Sequence, residues 1–332
     1  MWREIKKTKK TISIALAKGA VIIVGNAFVY IRHPRLIRTF RRTLGYWPNV
    51  CYPQTKNEKF LWRKTFDRNP MHPLLADKLT VRQFIKSRCP DLAMSEIIWI
   101  GVAPEQIPET LLQPGVVIKT NNGCNRNIFI TTAPVDRAQI NQLVIKWLAC
   151  PYGTRLGEWH YARISPVAFI EKLLALPGDP QFVEISCHVL KGECVFVTVE
   201  ANVKQENERI AHYDGRAHGL SINSTDRTIG QPKQHLPEDF PIPARFKEAV
   251  QYAETIAADF DYIRVDFMSP GKELYFCECT VFPMSGLSVI SARAEHLINT
   301  AWDLRNSWFM QQPQRGLNGV YRKLYDYCLK ME

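Results

Sequence analysis

The segment that most restricts this chain is IRVDFMSPGKELYFCECTVFPMSG, residues 263–286. It reads as two strands, 262–268 and 274–281, joined by a turn at Pro270-Gly271. Side chains along a strand alternate between faces. Arg264, Asp266 and Met268 therefore share one face of the first strand. Leu274, Phe276, Glu278 and Thr280 share one face of the second. If Met268 pairs with Leu274, Arg264 lies opposite Glu278. Asp266 is then diagonal to Glu278, about 7–8 Å away between Cα atoms, which long side chains can bridge. The second strand is otherwise apolar, through Phe276, Cys277, Cys279 and Val281. An acid in such a strand is costly unless it is paired or bound to a metal. Two carboxylates and a hydroxyl suit magnesium, which takes hard oxygen ligands and keeps room for water and phosphate oxygens. An arginine beside them can brace a phosphoryl group in transfer. The segment alone leaves open a surface hairpin with solvated charges.

Around this hairpin, strands and helices mix without a regular βαβ alternation, which argues for an α+β fold. Helices are expected over 57–67, 77–86, 134–149 and 246–258, and strands over 96–102, 116–119, 127–132, 182–190 and 194–200. The run 121–126, Asn-Asn-Gly-Cys-Asn-Arg, links two of these strands as a hairpin rather than a strand-to-helix phosphate loop. Residues 202–244 are polar and rich in turn formers and read as loops. The last forty residues look helical, with Trp302, Trp308, Tyr321 and Tyr325 as packing residues.

The formal charge of +11 is unevenly placed. Residues 1–42 hold eleven Lys and Arg against Glu4 alone, so they carry +10, and the other 290 residues carry +1. A nearly neutral body with a basic arm argues against nucleic acid as a partner and for peripheral contact with an anionic membrane through residues 1–42. Within the arm, 11–31 is largely apolar and long enough to span a bilayer, but Lys18, Asn26 and two glycines interrupt it. An interfacial amphipathic helix, a helix packed on the protein and a span all stay open. No small-x-small cleavage pattern follows, which argues against a signal peptide. Nine cysteines, an odd number without a CxxC pair, argue for reduced packing thiols rather than disulfides or zinc. The expected location is cytoplasmic, at the inner membrane face.

The hairpin, together with lysines upstream, resembles the ATP-grasp superfamily and, more narrowly, the TupA-like ATP-grasp family associated with teichuronopeptide and surface-polysaccharide biosynthesis. The motifs are KNEKFLWRKTFDRNP (56–70), LADKLTVRQFI (75–85), VIKTNNGCNRNIFI (117–130), GEWHYARISPVAFIEKLL (157–174), and RVDF with ECTVFPMSG (264–267 and 278–286). The resemblance covers roughly 52–290. It implies two α+β subdomains gripping ATP between them. It casts Lys78 and Lys119 as phosphate lysines and 121–126 as the phosphate-covering loop, with Thr120, Asn122, Gly123 and Asn127 about it. Glu171, Lys172 and Leu174 fall at the hinge that receives adenine through main-chain hydrogen bonds. Asp266, Glu278 and Thr280 match the magnesium ligands, and Arg264 the arginine that steadies the transferred group. The implied cofactors are ATP and Mg2+.

Two departures stand out. Asn125 occupies the place of a second loop glycine, and asparagine tolerates left-handed backbone. Where the family usually shows Asp-Tyr-Lys, this chain has Glu184-Ile185-Ser186. The acid is kept in kind and the lysine is lost. Ser186, Ser285 and Gly286 are candidates for the substrate side. The expected parts are a basic arm (1–45), an N-terminal region (46–110), a small lid subdomain (111–175) and a large subdomain (176–332). The resemblance implies a carboxylate–amine ligase working through an acyl phosphate, on a small-molecule or glycan-linked carboxylate and an amine. A kinase acting on a hydroxyl, or a non-catalytic nucleotide-binding partner of a membrane glycosyltransferase complex, are the rival readings.

Overall fold

A computed structural model describes residues 18–20, 22–150, 152–175, 179, 182–203, 208–220, 234–237 and 239–329. Residues 1–17, with the first basic run of the arm, lie outside the described residues. In chain order the strands are β1 (Ala93–Met94), β2 (Ile97–Gly101), β3 (Val116–Thr120), β4 (Asn127–Ile130), β5 (Ala168–Lys172), β6 (Phe182–Leu190), β7 (Glu193–Ala201), β8 (Arg209–Tyr213), β9 (Gly219–Leu220), β10 (Gln234–His235), β11 (Ile263–Pro270) and β12 (Tyr275–Thr280). The helices are α1 (Lys18–Arg32), α2 (Pro34–Leu44), α3 (Lys56–Thr65), α4 (Met71–Ala76), α5 (Val81–Arg88), α6 (Arg137–Ala149), α7 (Phe246–Ala257), α8 (Ala292–Ala301), α9 (Trp308–Gln311) and α10 (Gly316–Leu329).

Two sheets result. The larger runs β1-β12-β11-β6-β7-β8-β10, with β9 also on β8; the smaller runs β2-β5-β3-β4. The α+β expectation therefore holds. The small sheet takes β2 from before residue 111, and the large sheet takes β1 from the same stretch. A chain boundary at 110/111 thus cuts across both sheets. Only Ser95 and Glu96 separate β1 from β2, and Ser95 Oγ donates to Lys172 O at 2.8 Å. The sheets are joined at that corner.

Strand parity sorts the large sheet. Ile263, Val265 and Phe267 of β11 and Ile185, Cys187 and Val189 of β6 are buried in one core with Ala249, Ala253 and Ile256 of α7. The opposite face carries the polar residues described below. The small sheet buries Val116, Ile118, Ile130 and Ile170 against Ile140 and Val144 of α6.

One sequence expectation needed revision. Part of 202–244 is strand: β8 pairs antiparallel with β7 along 209–213. Only five residues long, β8 is too short for alternation to stand out against its turn-rich flanks. Helix α3 forms as expected and is buried almost throughout, charges included. A capping box starts it: Thr55 Oγ1 accepts from Glu58 N, and the Glu58 carboxylate accepts from Thr55 N. Its cations are spent inside the protein. Lys59 Nζ donates to Asn299 O and Trp302 O at 2.7 and 2.6 Å. Arg63 pairs with Asp261 at 2.7 Å. Buried charges are tolerable when paired in this way. Trp302 and Tyr321, expected to pack, are buried at 1% and 8% exposure.

Candidate functional site

The β11–β12 hairpin does not keep the simple register. Phe267 pairs with Phe276, but Asp266 pairs with Glu278, so Cys277 is an extra residue in β12. Such a bulge shifts strand parity. Phe276 and Cys279 therefore turn into the core, while Glu278 and Thr280 turn to the polar face. This corrects the expectation that Phe276 shares a face with Glu278 and that Arg264 lies opposite it. Arg264 lies opposite Thr280, and the two acids lie directly across from one another.

Ladder pairing extends this row. Glu278, Asp266, Ser186, Thr198 and His212 stand side by side across β12, β11, β6, β7 and β8. Asp266 is fully buried. Arg264 grips it with two bonds of 2.7 Å, from Nε to Oδ1 and from Nη2 to Oδ2. Thr280 Oγ1 adds a third at 3.0 Å, and Ser186 donates from the other side. Burial pushes the Asp266 carboxyl up; Arg264 and Ser186 pull it back, and Glu278 adds to the rise. Burial also works against the Arg264 charge, and Asp266 more than offsets it. Ser186, standing where a family lysine is usual, thus serves the central carboxylate.

Lys78 reaches the hairpin acids, and Lys119 pairs with Glu171 of the neighbouring sheet. Lys78 Nζ pairs with Glu278 Oε2 at 3.0 Å and donates to Gly123 O at 2.8 Å. Burial disfavours its charge, but Glu278 wins and raises its pKa. Lys119 Nζ pairs with Glu171, which also faces Arg82 at 3.9 Å. The loop between β3 and β4 is thereby tied to the hairpin. Thr120 Oγ1 donates to Asn122 O at 3.0 Å, and Asn127 sits opposite Lys119. Gly123 needs its φ of +89°, and a Cβ there would lie 2.7 Å from the Tyr152 ring. Asn125 does adopt the left-handed region, at φ 57°.

Sequence reading placed Asn121 in the covering loop but gave its side chain no role. Its Nδ2 donates to Asp77 Oδ2 and Ser165 O, both at 3.1 Å, and its carbonyl accepts from Lys78 N at 3.0 Å. It fastens the Lys78 turn to the loop. Tyr161 was also missed as a functional residue. Its ring meets Tyr152 edge-on at 4.9 Å, and burial followed by the Glu278 charge raises its pKa. Neither residue type carries a spacing signal that a single sequence displays.

The hinge differs from expectation. Glu171 pairs in the sheet with Val117 on one side and Ile97 on the other, so it offers the cleft its carboxylate and not its main chain. The N–H groups of Lys172 and Leu173 go to Glu96 O and Gly115 O, both at 2.9 Å. Main-chain contacts to a base would have to come from Leu174 onward.

Beyond Arg264 the same sheet face forms a cleft open to solvent, whose walls include Phe60, Phe196, Tyr262, Thr198, Glu200 and Met284. Glu184 pairs with Met268 and Glu200 in the neighbouring row. Ser285 and Gly286 do not line this cleft. They form a small pocket with Leu36 and Lys64 on the arm side, and Lys64 Nζ donates to Ser285 O at 2.8 Å. Burial lowers the Lys64 pKa to about 8. Met284, Ser285 and Gly286 all have positive φ, and a Cβ on Gly286 would lie 2.3 Å from the Phe60 Cβ. Their role is to turn the chain tightly over α3. Gly286→Ala is expected to cost about 2–4 kcal/mol in chemical unfolding, from crowding plus left-handed strain. Gly219→Ala, where a Cβ meets nothing within 4 Å, stays within about 0.5 kcal/mol.

The donor set bears on magnesium. Among the described residues no group of three or more His, Cys, Asp or Glu forms a metal cage. Asp266, Glu278 and Thr280 instead offer a few hard oxygens at one edge of a cleft, which suits an ion shared with phosphates. Arg264, Thr280 and Ser186 occupy the four lone-pair sites of Asp266, so a cation there would take the place of one of these donors, whereas Glu278 is the more open of the two acids.

The TupA-like ATPgrasp family profile matches residues 58–297. No curated protein matches the chain. Among solved structures, D-alanine–D-alanine ligase from Bacillus anthracis is 17% identical, covers 78% of this chain and 67% of its own, and superposes with a TM-score of 0.39. Phosphoribosylamine–glycine ligase from Thermotoga maritima is 14% identical, covers 69% of this chain and 55% of its own, and has a TM-score of 0.38. The ATP-grasp ligase PsnB complexed with minimal precursor is 10% identical, covers 70% and 61%, and has a TM-score of 0.37. The chain spans about two thirds or less of the length of these structures. With its profile match running from α3 through the hairpin into α8, the chain belongs to the TupA-like ATP-grasp family and has the ATP-grasp fold.

Proposed function

We propose that this protein is an ATP-dependent carboxylate–amine ligase. The observation that carries the reading is the meeting of Asp266, Glu278 and Arg264 on one sheet face with Lys78 and Lys119 beside the 121–126 loop. Two lysines, loop amides and a guanidinium suit the phosphates of ATP. Magnesium held by Asp266, Glu278 and Thr280 would offset phosphate charge. A substrate carboxylate oxygen attacks the γ-phosphorus, the bond to the β-phosphate oxygen breaks, and ADP leaves with an acyl phosphate formed. An amine then attacks the acyl carbon, loses a proton, and displaces inorganic phosphate to leave an amide. Arg264 steadies the phosphoryl oxygens throughout, and Lys119 holds charge at the phosphate side.

The acid enters the cleft beyond Arg264. Its walls, with both aromatic faces and polar groups such as Thr198 and Glu200, suit a sugar-like or amino-acid carboxylate. The family association supports a role in surface-polysaccharide or glycoconjugate biosynthesis, with a uronic acid, amino acid or glycan precursor as substrate. The test is ADP release by purified protein against panels of uronic and amino acids, each with and without amines. Release that needs both partners, with an amide product, is expected. A stable phosphorylated hydroxyl product would select a kinase instead.

A further inference from the structure

The arm has a face that the ligase reading does not use. Helices α1 and α2 meet at 105°, and no single helix among the described residues is long and apolar enough to cross a membrane. One side of α1 is fastened to the body. Asn26 Nδ2 donates to Asn49 Oδ1 at 2.9 Å, and Asn26 Oδ1 accepts from Cys51 N at 2.9 Å. Tyr30 OH donates to Pro48 O at 2.6 Å, and Val29 is buried. Gly25 permits this approach, since a Cβ there would lie 2.6 Å from Cys51 Sγ.

The other side is bare. Ile23, Val24, Phe28 and Ile31 are 69, 69, 44 and 81% exposed. Their spacing of one, four and three residues places them on one helical face. Exposed apolar side chains aligned in this way mark an interaction surface. Its surroundings are cationic: Arg32, Arg35, Arg38, Arg41 and Arg42 are exposed, and no acid occurs between Glu4 and Glu58. Trp47 is 51% exposed, stacks on Tyr30 with ring centres 5.5 Å apart, and carries the Arg41 guanidinium 4.3 Å above its ring. An apolar helix face, a cationic border and an exposed tryptophan are the parts of an interfacial membrane contact.

We propose that the bare face of α1, with the arginines of α2, docks the protein on an anionic lipid bilayer. Charge complementarity selects this occupant. A second copy meeting the same face would set arginine against arginine, whereas anionic headgroups neutralise them. The apolar stripe then enters the headgroup boundary while Asn26 and Tyr30 keep the helix on the body. The contact is peripheral, and it would hold the active cleft beside membrane-linked substrates.

The test is co-sedimentation of full-length protein with vesicles of phosphatidylcholine alone or with about one third phosphatidylglycerol. Binding at least tenfold stronger to the anionic vesicles, weakened by added salt, is expected. An Ile23→Ser/Phe28→Ser/Ile31→Ser variant and, separately, an Arg35→Glu/Arg38→Glu variant should each lose tenfold or more. Both should keep the wild-type circular dichroism and melting temperature, since the altered side chains are exposed. Equal binding to both vesicle types, or undiminished binding by the triple Ser variant, overturns the proposal. So does a lipid-independent dimer that the triple Ser substitution dissolves, because the face then belongs to a second copy. The readout is lipid binding alone, so a failed ligase assay leaves it standing, and its failure leaves the ligase reading standing.

Discussion

Asp266→Asn is expected to lower ATP-dependent turnover by about a thousandfold, or roughly 4 kcal/mol of transition-state stabilisation. Asparagine keeps the shape of the side chain and one acceptor. It removes the charge that Arg264 grips in two bonds of 2.7 Å and that a magnesium ion would need. Half of the former acceptor edge becomes an NH2 group facing a guanidinium. Stability falls too, by about 1–3 kcal/mol, because Arg264 loses its paired charge, and Glu278 and Glu184, which still favour the guanidinium charge, keep the loss from being larger. The checks are ADP release at saturating substrate and a melting curve on the same sample. Turnover within tenfold of wild type would mean that the chemistry lies elsewhere.

Arg264→Met is expected to have the largest effect on stability, about 3–5 kcal/mol. The substitution leaves Asp266 fully buried with only the Thr280 and Ser186 hydroxyls as donors and Glu278 directly opposite. Burial already raises the Asp266 carboxyl, and loss of Arg264 raises it further. A carboxyl whose folded pKa lies above its unfolded one binds its proton more readily in the folded state. Stability is then lost as pH rises from the unfolded toward the folded pKa. The deficit against wild type should therefore be smaller at pH 5 than at pH 8, as read from urea midpoints. The double variant Arg264→Met/Asp266→Asn should be more stable than Arg264→Met alone, because the stranded carboxylate is gone. A double variant less stable than both singles would show that the pair is not coupled as described.

The sequence revealed the hairpin but not its register. Alternation put Arg264 and Asp266 on one face correctly. A bulge is a one-residue event, and Cys277 looks like any other apolar strand residue, so the pairing of Asp266 with Glu278 was visible only in three dimensions. Lys78 and Lys119 could be picked out by motif, and both meet acids in the fold. Glu171 was legible as a residue of interest and misread in its contribution. Whether a strand is central or at an edge depends on partners far away in sequence, here β2 and β3. Helix α3 was legible as a helix but its burial was not, because four of its ten residues are Lys or Arg. Nothing local says that a lysine will end on the carbonyls of Asn299 and Trp302. The arm was legible as basic and apolar; which of its faces packs was set by Gly25 and Asn26, which read in the sequence only as interruptions.

The central claim is transfer of a phosphoryl group to a carboxylate. Hydroxylamine tests it most directly, because it intercepts an acyl phosphate as a stable hydroxamate. Purified protein is supplied with ATP, magnesium and an acid that stimulates nucleotide turnover, with hydroxylamine in place of the amine. The account predicts a hydroxamate of that acid formed in step with ADP, and its loss in Asp266→Asn. Turnover with the acid that yields no hydroxamate and releases AMP instead of ADP would contradict it.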